Sequence, residues 1–325
     1  MDILYGLLDF FARALIVFVT IAACTVFIVG RVRTGRATGP YVRLREISLR
    51  WKQNIDAIQA GLVAPKERRR YGKALLARRL AEPQPVGRVF VLDFKGDILA
   101  SAVEALREEI TVVLGLAGPG DEVVVRLESP GGAVHGYGLA ASQLARLRAK
   151  NVPLTVCVDK MAASGGYMMA AVAPRIVAAP FAILGSIGVV APLPNAHRLL
   201  EKLGVDYEDV TAGKFKRPVS VLGAVTEEGK AKLQEQIDET HVLFKRFVHD
   251  MRPLLDIETV ATGEHWYGTR AVELGLCDAI ATSDDILLEK AQTNRVFEVT
   301  CDRPSSVRER LAAFGRAALG LVLGG

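Results

Sequence analysis

Hydrophobic and polar positions change their period several times along this chain. From Ala14 to Gly30 the sequence ALIVFVTIAACTVFIVG carries no charge. As a helix rising 1.5 Å per residue it would be ~25 Å long, close to the thickness of a bilayer's hydrocarbon core. The preceding LYGLLDFFAR adds apolar surface, and Arg13 is placed to snorkel to an interface. The pattern predicts one uncleaved spanning helix. A cleaved secretory signal would want a basic start, yet Asp2 and Asp9 precede the run, and the lipoprotein-like IAAC at Ile21 to Cys24 is followed by further apolar sequence. Arginines crowd the far side of the run (Arg31, Arg33, Arg36, Arg43, Arg45, Arg50), with only Arg13 on the near side. By the positive-inside rule this leaves the bulk of the chain cytoplasmic, although a basic linker lying on anionic headgroups would give the same bias.

Residues 36–85 are basic, with helical stretches such as PKERRRYGKALLARRLAE closing on the turn-like EPQP. They read as a helical juxtamembrane linker with a solvated charged face. After Pro85 the texture changes. RVFVLDFKG reads as a strand and SAVEALREEITVVLGLA as a helix; EVVVRLES is a second strand ending at Ser129-Pro130-Gly131-Gly132, and GLAASQLARLRAK a second helix. PLTVCVD follows as a third strand, KMAASGGYMMAAVA as a buried small-residue helix and RIVAAP as a fourth short strand. Such alternation predicts an α/β domain with a largely parallel sheet. Further on, TEEGKAKLQEQIDETHVLFKRFVHDMR sets Leu233, Ile237, Phe244, Phe247 and Met251 near helical spacing, a long amphipathic helix suited to packing or to an oligomer contact. The closing RERLAAFGRAALGLVLGG is a basic-apolar tail suited to a membrane surface or a partner subunit. The expected organisation is an anchor (1–35), a basic linker (36–85), an α/β domain (86–300) and a tail (301–325).

Composition narrows the function classes. A chain of 325 residues can bury one sizeable core plus accessory elements, or two modest domains. Half of it is hydrophobic while aromatics make up only 6%, so the excess is aliphatic. A net charge of +5 is mild and, without a recognised nucleic-acid motif, gives no indication of a nucleic-acid partner, so none is expected. Cys24, Cys157, Cys277 and Cys301 are scattered, with no CxxC, which suggests neither a zinc site nor a disulfide framework. There is no HExxH, no Walker loop and no GxGxxG after a strand, so no metal or nucleotide cofactor is expected.

What remains is a set of Gly and Ser residues at strand ends, where open α/β sheets bind ligands. Gly131-Gly132 follows a strand and precedes a helix; glycine there can expose an N–H suited to an oxyanion, or can simply make a tight turn. Ser164 in AASGGY lies just beyond PLTVCVD, among small residues that leave room for a substrate carbonyl, and the Gly165 N–H would complete an oxyanion pair. A serine in that place also suits an N-cap. A nucleophile needs a base within hydrogen-bond reach. Among the five histidines only His135 is near a motif, while AGKFKRP offers Lys214 and Lys216.

In one order the chain carries SPGG after a strand, KMAASGGYMMA, GSIGV (Gly185 to Val189), TAGKFKRP and ATGEHWYGTRAVELGLCD. That series resembles the SohB branch of the signal peptide peptidase A family over about residues 86–300, and the anchor followed by a basic helical stretch is similar as well. The resemblance implies a Clp protease/crotonase-like α/β fold of repeated β-β-α units, preceded by the transmembrane helix. It implies a Ser–Lys dyad with Ser164 as nucleophile, Lys216 as base and Lys214 as bystander, Gly132 and Gly165 as oxyanion donors, and Ser186 as an orienter of the lysine. It further implies a single-pass protein of the bacterial inner membrane that works without cofactors, takes peptide or protein substrates, contacts lipid through its N-terminal helix and forms a homo-oligomer. Some family members sit on the outer side of the inner membrane, opposite to the side the arginine count gives. Two other readings fit the same fold: a crotonase-type acyl-CoA enzyme, and a non-catalytic membrane assembly protein.

Overall fold

The structure, a computed structural model, describes residues 41–81 and 85–301 together with Val19. The expected anchor and C-terminal tail lie outside the described residues, Val19 and Cys301 apart. Among the described residues no helix is long and apolar enough to cross a membrane.

In chain order the elements are β1 (Val42–Glu46), α1 (Ile47–Leu62), α2 (Arg68–Ala81), β2 (Arg88–Lys95), α3 (Val103–Leu116), β3 (Glu122–Glu128), α4 (Val134–Ala149), β4 (Leu154–Val158), β5 (Met161–Ala163) and α5 (Gly165–Ala171). Then follow β6 (Arg175–Ala178), β7 (Ile183–Gly185), α6 (His197–Lys202), α7 (Glu227–Met251), α8 (Ile257–Val260), β8 (His265–Tyr267), α9 (Gly268–Glu273), β9 (Ala279–Ile280), α10 (Ser283–Lys290) and β10 (Arg295–Cys301). A seven-stranded sheet has the order β1-β10-β2-β3-β4-β6-β9, and a small sheet the order β5-β7-β8. Every neighbouring pair of the large sheet is parallel except β1 with β10. The expected α/β class with a largely parallel sheet is therefore what the chain forms.

The strands are near-continuous apolar runs because helices cover both faces of the sheet. Phe90, Leu92 and Phe94 of β2 point to one face, where Leu106, Ile110 and Val113 of α3, Leu144 and Leu147 of α4, and Tyr167 and Met169 of α5 meet them. Val89 and Val91 point to the other face and join Val124, Cys157, Val177 and Val296 beneath Ile47 of α1 and Ile286 and Leu287 of α10.

Two segments depart from the sequence reading. Val42–Glu46, expected within a helical linker, is an edge strand registered antiparallel on β10 from Val42↔Cys301 to Glu46↔Phe297. KMAASGGYMMAAVA, expected as one helix, is a strand, a single left-handed serine and then a short helix. The backbone groups of Met161 to Ala163 are claimed by β7 and by Ser129, whose N–H donates to Met161 O (2.8 Å) and whose C=O accepts from the Ala163 N–H (3.0 Å). This tertiary pairing overrides the helical bias of the small residues. The expected long amphipathic helix forms as α7, with the Thr226 side chain accepting from the Gly229 N–H at its start.

Candidate active site

The site lies beyond the carboxyl ends of the central strands, where a parallel sheet leaves strand-to-helix turns open. Ser164 occupies the turn between β5 and α5 with φ 52° and ψ −121°. Its N–H donates to Gly185 O at 2.8 Å and its C=O accepts from the Met168 N–H at 3.0 Å, so both neighbours fix a conformation that side-chain-bearing residues rarely adopt. The hydroxyl makes no capping hydrogen bond, which removes the N-cap role. Ser186 follows Gly185 just as Ser164 follows Ala163, and Ala163 and Gly185 are register partners. The two serines thus leave paired strands side by side, and Ser186 is left-handed too, at φ 51°.

The glycines around Ser164 are dictated by close approach. A Cβ on Gly131 would stand 2.7 Å from the Ser164 Cβ, one on Gly132 2.2 Å from Ile98 O, and one on Gly165 2.4 Å from Cγ of Tyr137. Gly131 spends its N–H on the Ser129 Oγ (3.0 Å). No hydrogen bond among the described residues consumes the N–H of Gly132 or of Gly165, the latter opening α5, where the first amides lack intrahelical acceptors. Two free donors beside a strained serine on a strand-to-helix turn are the arrangement that acyl-transfer chemistry uses for nucleophile and oxyanion.

Sequence reasoning missed the support beneath this turn. Ser129 and Tyr137 are fully buried. Their hydroxyls lie 2.6 Å apart and Tyr137 donates onward to Asp97 O at 2.8 Å. The donors run in one direction, from the Gly131 N–H through Ser129 and Tyr137 to a backbone carbonyl, and burial raises the Tyr137 pKa so that the phenol stays protonated. The only trace in the sequence is the place of Ser129 directly ahead of Pro-Gly-Gly; nothing in the helical pattern of α4 marks Tyr137.

Ser164, Gly132, Gly165 and Ser186 open into one cleft of about 1510 Å³, walled by Met168, Val189 and the length of α7 from Gln234 to Asp250. His241 of α7 lines it as well. Lys216 does not: it is exposed, in the irregular stretch between α6 and α7, where its N–H closes a turn on Gly213 O (3.0 Å) around Gly213 at φ 96°. Lys214 pairs with Glu228 in the first turn of α7 (2.5 Å), and His135 is exposed outside the cleft. The structure thus brings four of the five expected site residues together and leaves the lysine on the surface of the single chain. Among the described residues no cluster of His, Cys, Asp or Glu could hold a metal ion.

Residues 2–144 match the N-terminal region of peptidase family S49 and residues 146–296 match peptidase family S49 itself. The chain is 58% identical over 230 residues to "Probable protease SohB" of Haemophilus influenzae, covering 71% of this chain and 64% of that protein. It is 53% identical over 226 residues to "Probable protease SohB" of Buchnera aphidicola subsp. Acyrthosiphon pisum, covering 70% of this chain and 67% of that protein. The matches thus span about two thirds of the length of these relatives. Among solved structures, the substrate-peptide complex of the 1510-N membrane-bound stomatin-specific protease aligns with a TM-score of 0.41 at 12% identity, over 72% of this chain and 98% of that one.

Proposed function

Because the chain belongs to peptidase family S49, in its SohB branch, we propose that it is a serine endopeptidase with Ser164 as nucleophile and Lys216 as base. One observation carries the reading: Ser164 sits strained at φ 52° between β5 and α5, its hydroxyl uncapped, in the cleft that also holds Gly132 and Gly165. Neutral Lys216 takes the Ser164 proton as Oγ attacks a peptide carbonyl. The tetrahedral oxyanion accepts from the Gly132 and Gly165 N–H groups. The Lys216 ammonium returns the proton to the departing amine, and the neutral amine then activates the water that releases the acyl group. Ser186, beside Ser164, orients the lysine.

A lysine in water is protonated at neutral pH, so the base must be desolvated to act. We assign that step to assembly. The stretch around Lys216 exposes Val205, Val210, Phe215, Val221 and Leu222, and α7 exposes Val242 outside the cleft. A homo-oligomer would cover these residues and carry Lys216 into an apolar cleft. The uncharged run of residues 14–30 would hold the protein in the bacterial inner membrane as a single-pass anchor in contact with lipid. Membrane-derived, signal or unfolded peptides would be the substrates, on a fold of the Clp protease/crotonase type.

The test is hydrolysis of casein by the wild-type chain and by Ser164→Ala, Lys216→Ala, Lys214→Ala and His135→Ala, each checked for folding. The first two should lose at least about a thousandfold in kcat/KM and the last two should keep activity. Full activity in Ser164→Ala would overturn the proposal. Mixing Ser164→Ala with Lys216→Ala copies adds a second readout: recovered activity means the base arrives from a neighbouring copy, and none means it arrives from the same chain.

A further inference from the structure

The helix α7 supplies one wall of the cleft, and one polar atom on it has no partner. His241 Nε2 is buried and meets no hydrogen-bonding group within the chain. Among the described residues the only other buried side-chain N or O in that condition is Arg252 Nε, whose guanidinium is already tied to Asp278 and to Gly275 O. A buried imidazole nitrogen without a partner lowers stability, and such an atom persists where something outside the chain satisfies it.

The surroundings indicate what that is. His241 lines the same cleft as Ser164, between Ile237 and Phe244 on α7, and Met168 and Val189 line it too. Cleft-lining residues run from Gln234 to Asp250, roughly 24 Å of helix at 1.5 Å per residue, which an extended peptide of about seven residues would span. Aliphatic and aromatic walls would take its side chains and leave its main chain in need of partners. A neutral imidazole nitrogen either donates or accepts according to tautomer. A peptide backbone offers both a C=O and an N–H at every residue, so it satisfies Nε2 in either tautomer.

We infer that His241 is a substrate-binding residue: its ring turns toward the cleft when peptide is bound, and the Nε2 that is closed off in the free chain hydrogen-bonds the peptide main chain. This rests on the peptidase reading of Ser164 but concerns affinity and not bond cleavage. The contact is therefore independent of substrate sequence and acts on binding with little effect on the chemical step.

The experiment uses the full chain carrying Ser164→Ala, which holds peptide without cutting it, with two fluorescein-labelled apolar octapeptides of unrelated sequence read by anisotropy. His241→Phe keeps the ring volume and removes the hydrogen bond; it should raise Kd about five- to tenfold for both peptides. His241→Gln places an amide near the Nε2 position and should stay within about twofold of the parent. His249→Ala, exposed on the same helix and outside the cleft, should change nothing. In the Ser164 background the same His241→Phe change should raise KM with kcat held.

Thermal melting separates binding from architecture. Relieving an unpartnered buried nitrogen should leave the Tm of His241→Phe equal or higher, whereas a structural imidazole would lower it and leave Kd alone. An unchanged Kd, a loss seen with one peptide only, or a fall in kcat at constant KM would each overturn the inference. If wild type binds the peptides with the expected His241 dependence but cuts nothing, the peptidase reading fails and this one stands.

Discussion

Ser164 is held at φ 52° by hydrogen bonds on both sides, its N–H donating to Gly185 O and its C=O accepting from the Met168 N–H. For a residue with a Cβ such a conformation costs roughly 1–3 kcal/mol and persists only where the surroundings over-determine it. Comparing Ser164→Gly with Ser164→Ala isolates this cost, because both remove the hydroxyl and only glycine relieves the strain. The glycine variant should be the more stable by about 1 kcal/mol, read as a higher urea midpoint, although glycine normally loses to alanine by a similar margin. Both should be inactive. A more stable alanine variant would mean that the turn stores no strain. The serine itself was legible in the sequence, as a hydroxyl among small residues past a strand. Its strain was not, because φ is set by β7, some twenty residues further on, and by a Gly131 whose absent Cβ leaves room for the turn.

At the scale of elements the helical period is a good guide until a polar residue is turned inward. In α3 it places Leu106, Ile110 and Val113 on the sheet, and it also buries Glu109 among them. That carboxylate accepts from the Cys301 N–H at 2.9 Å, at the end of β10 and 192 residues away, so no local pattern could announce it. Burial pushes its pKa up to about 7 from the ordinary 4.5; the Cys301 N–H pulls it down, and the Asp93 carboxylate pushes it further up. Between these values the unfolded chain has lost a proton that the folded chain retains. Stability therefore declines as pH rises from about 4.5 to about 7 and levels off above. The full swing is of order 3 kcal/mol at most. Glu109→Gln keeps a carbonyl for the Cys301 N–H and removes the charge. Its stability should lose this component of the pH dependence and exceed the parent's by roughly 2–3 kcal/mol at pH 8, measured by urea unfolding across pH 5–8. Parallel curves for the two proteins would show that the carboxylate is solvated. The same limit on local pattern explains β5: three small residues read as helix until β7 and Ser129 take their backbone groups.

For the whole molecule, the order from β2 to β6 was legible, β5 apart, as was the long helix α7, because each buried strand there is a short apolar run and each helix shows its period; the short elements from β7 onward carry too few residues for either signal. The lysine's distance from the serine was not, since TAGKFKRP says nothing of where an irregular stretch lies in space. The edge of the sheet was also hidden: VRLRE reads as part of a basic linker, yet Val42 sits over Cys301 and the strand extends the sheet on which the site is built. Arg45 pairs with Glu298, and Arg295 with Glu46 at 2.6 Å; such exposed pairs contribute little. Val42 and Ile47 contribute more, being almost wholly buried, Val42 in the cluster that holds α3 and Ile47 in the one that holds Ile286 and Leu287 of α10. Burying two such side chains stabilises by roughly 3–6 kcal/mol, a large share of the 5–15 kcal/mol that holds a typical domain. A chain beginning at Tyr41 should therefore unfold cooperatively and far later in urea than one beginning at Val86. The shorter chain bares the whole β10 edge, including the backbone of Val299, and should aggregate. Ile47→Ala in the longer chain should by itself cost about 2–4 kcal/mol. Equal midpoints for the two chains would place the edge of the folded unit at residue 86 and make β1 and α1 passengers. A large difference makes the segment from Tyr41 to Pro85 a structural part of the folded unit, its strand β1 closing the same sheet whose strand β3 leads to Ser129.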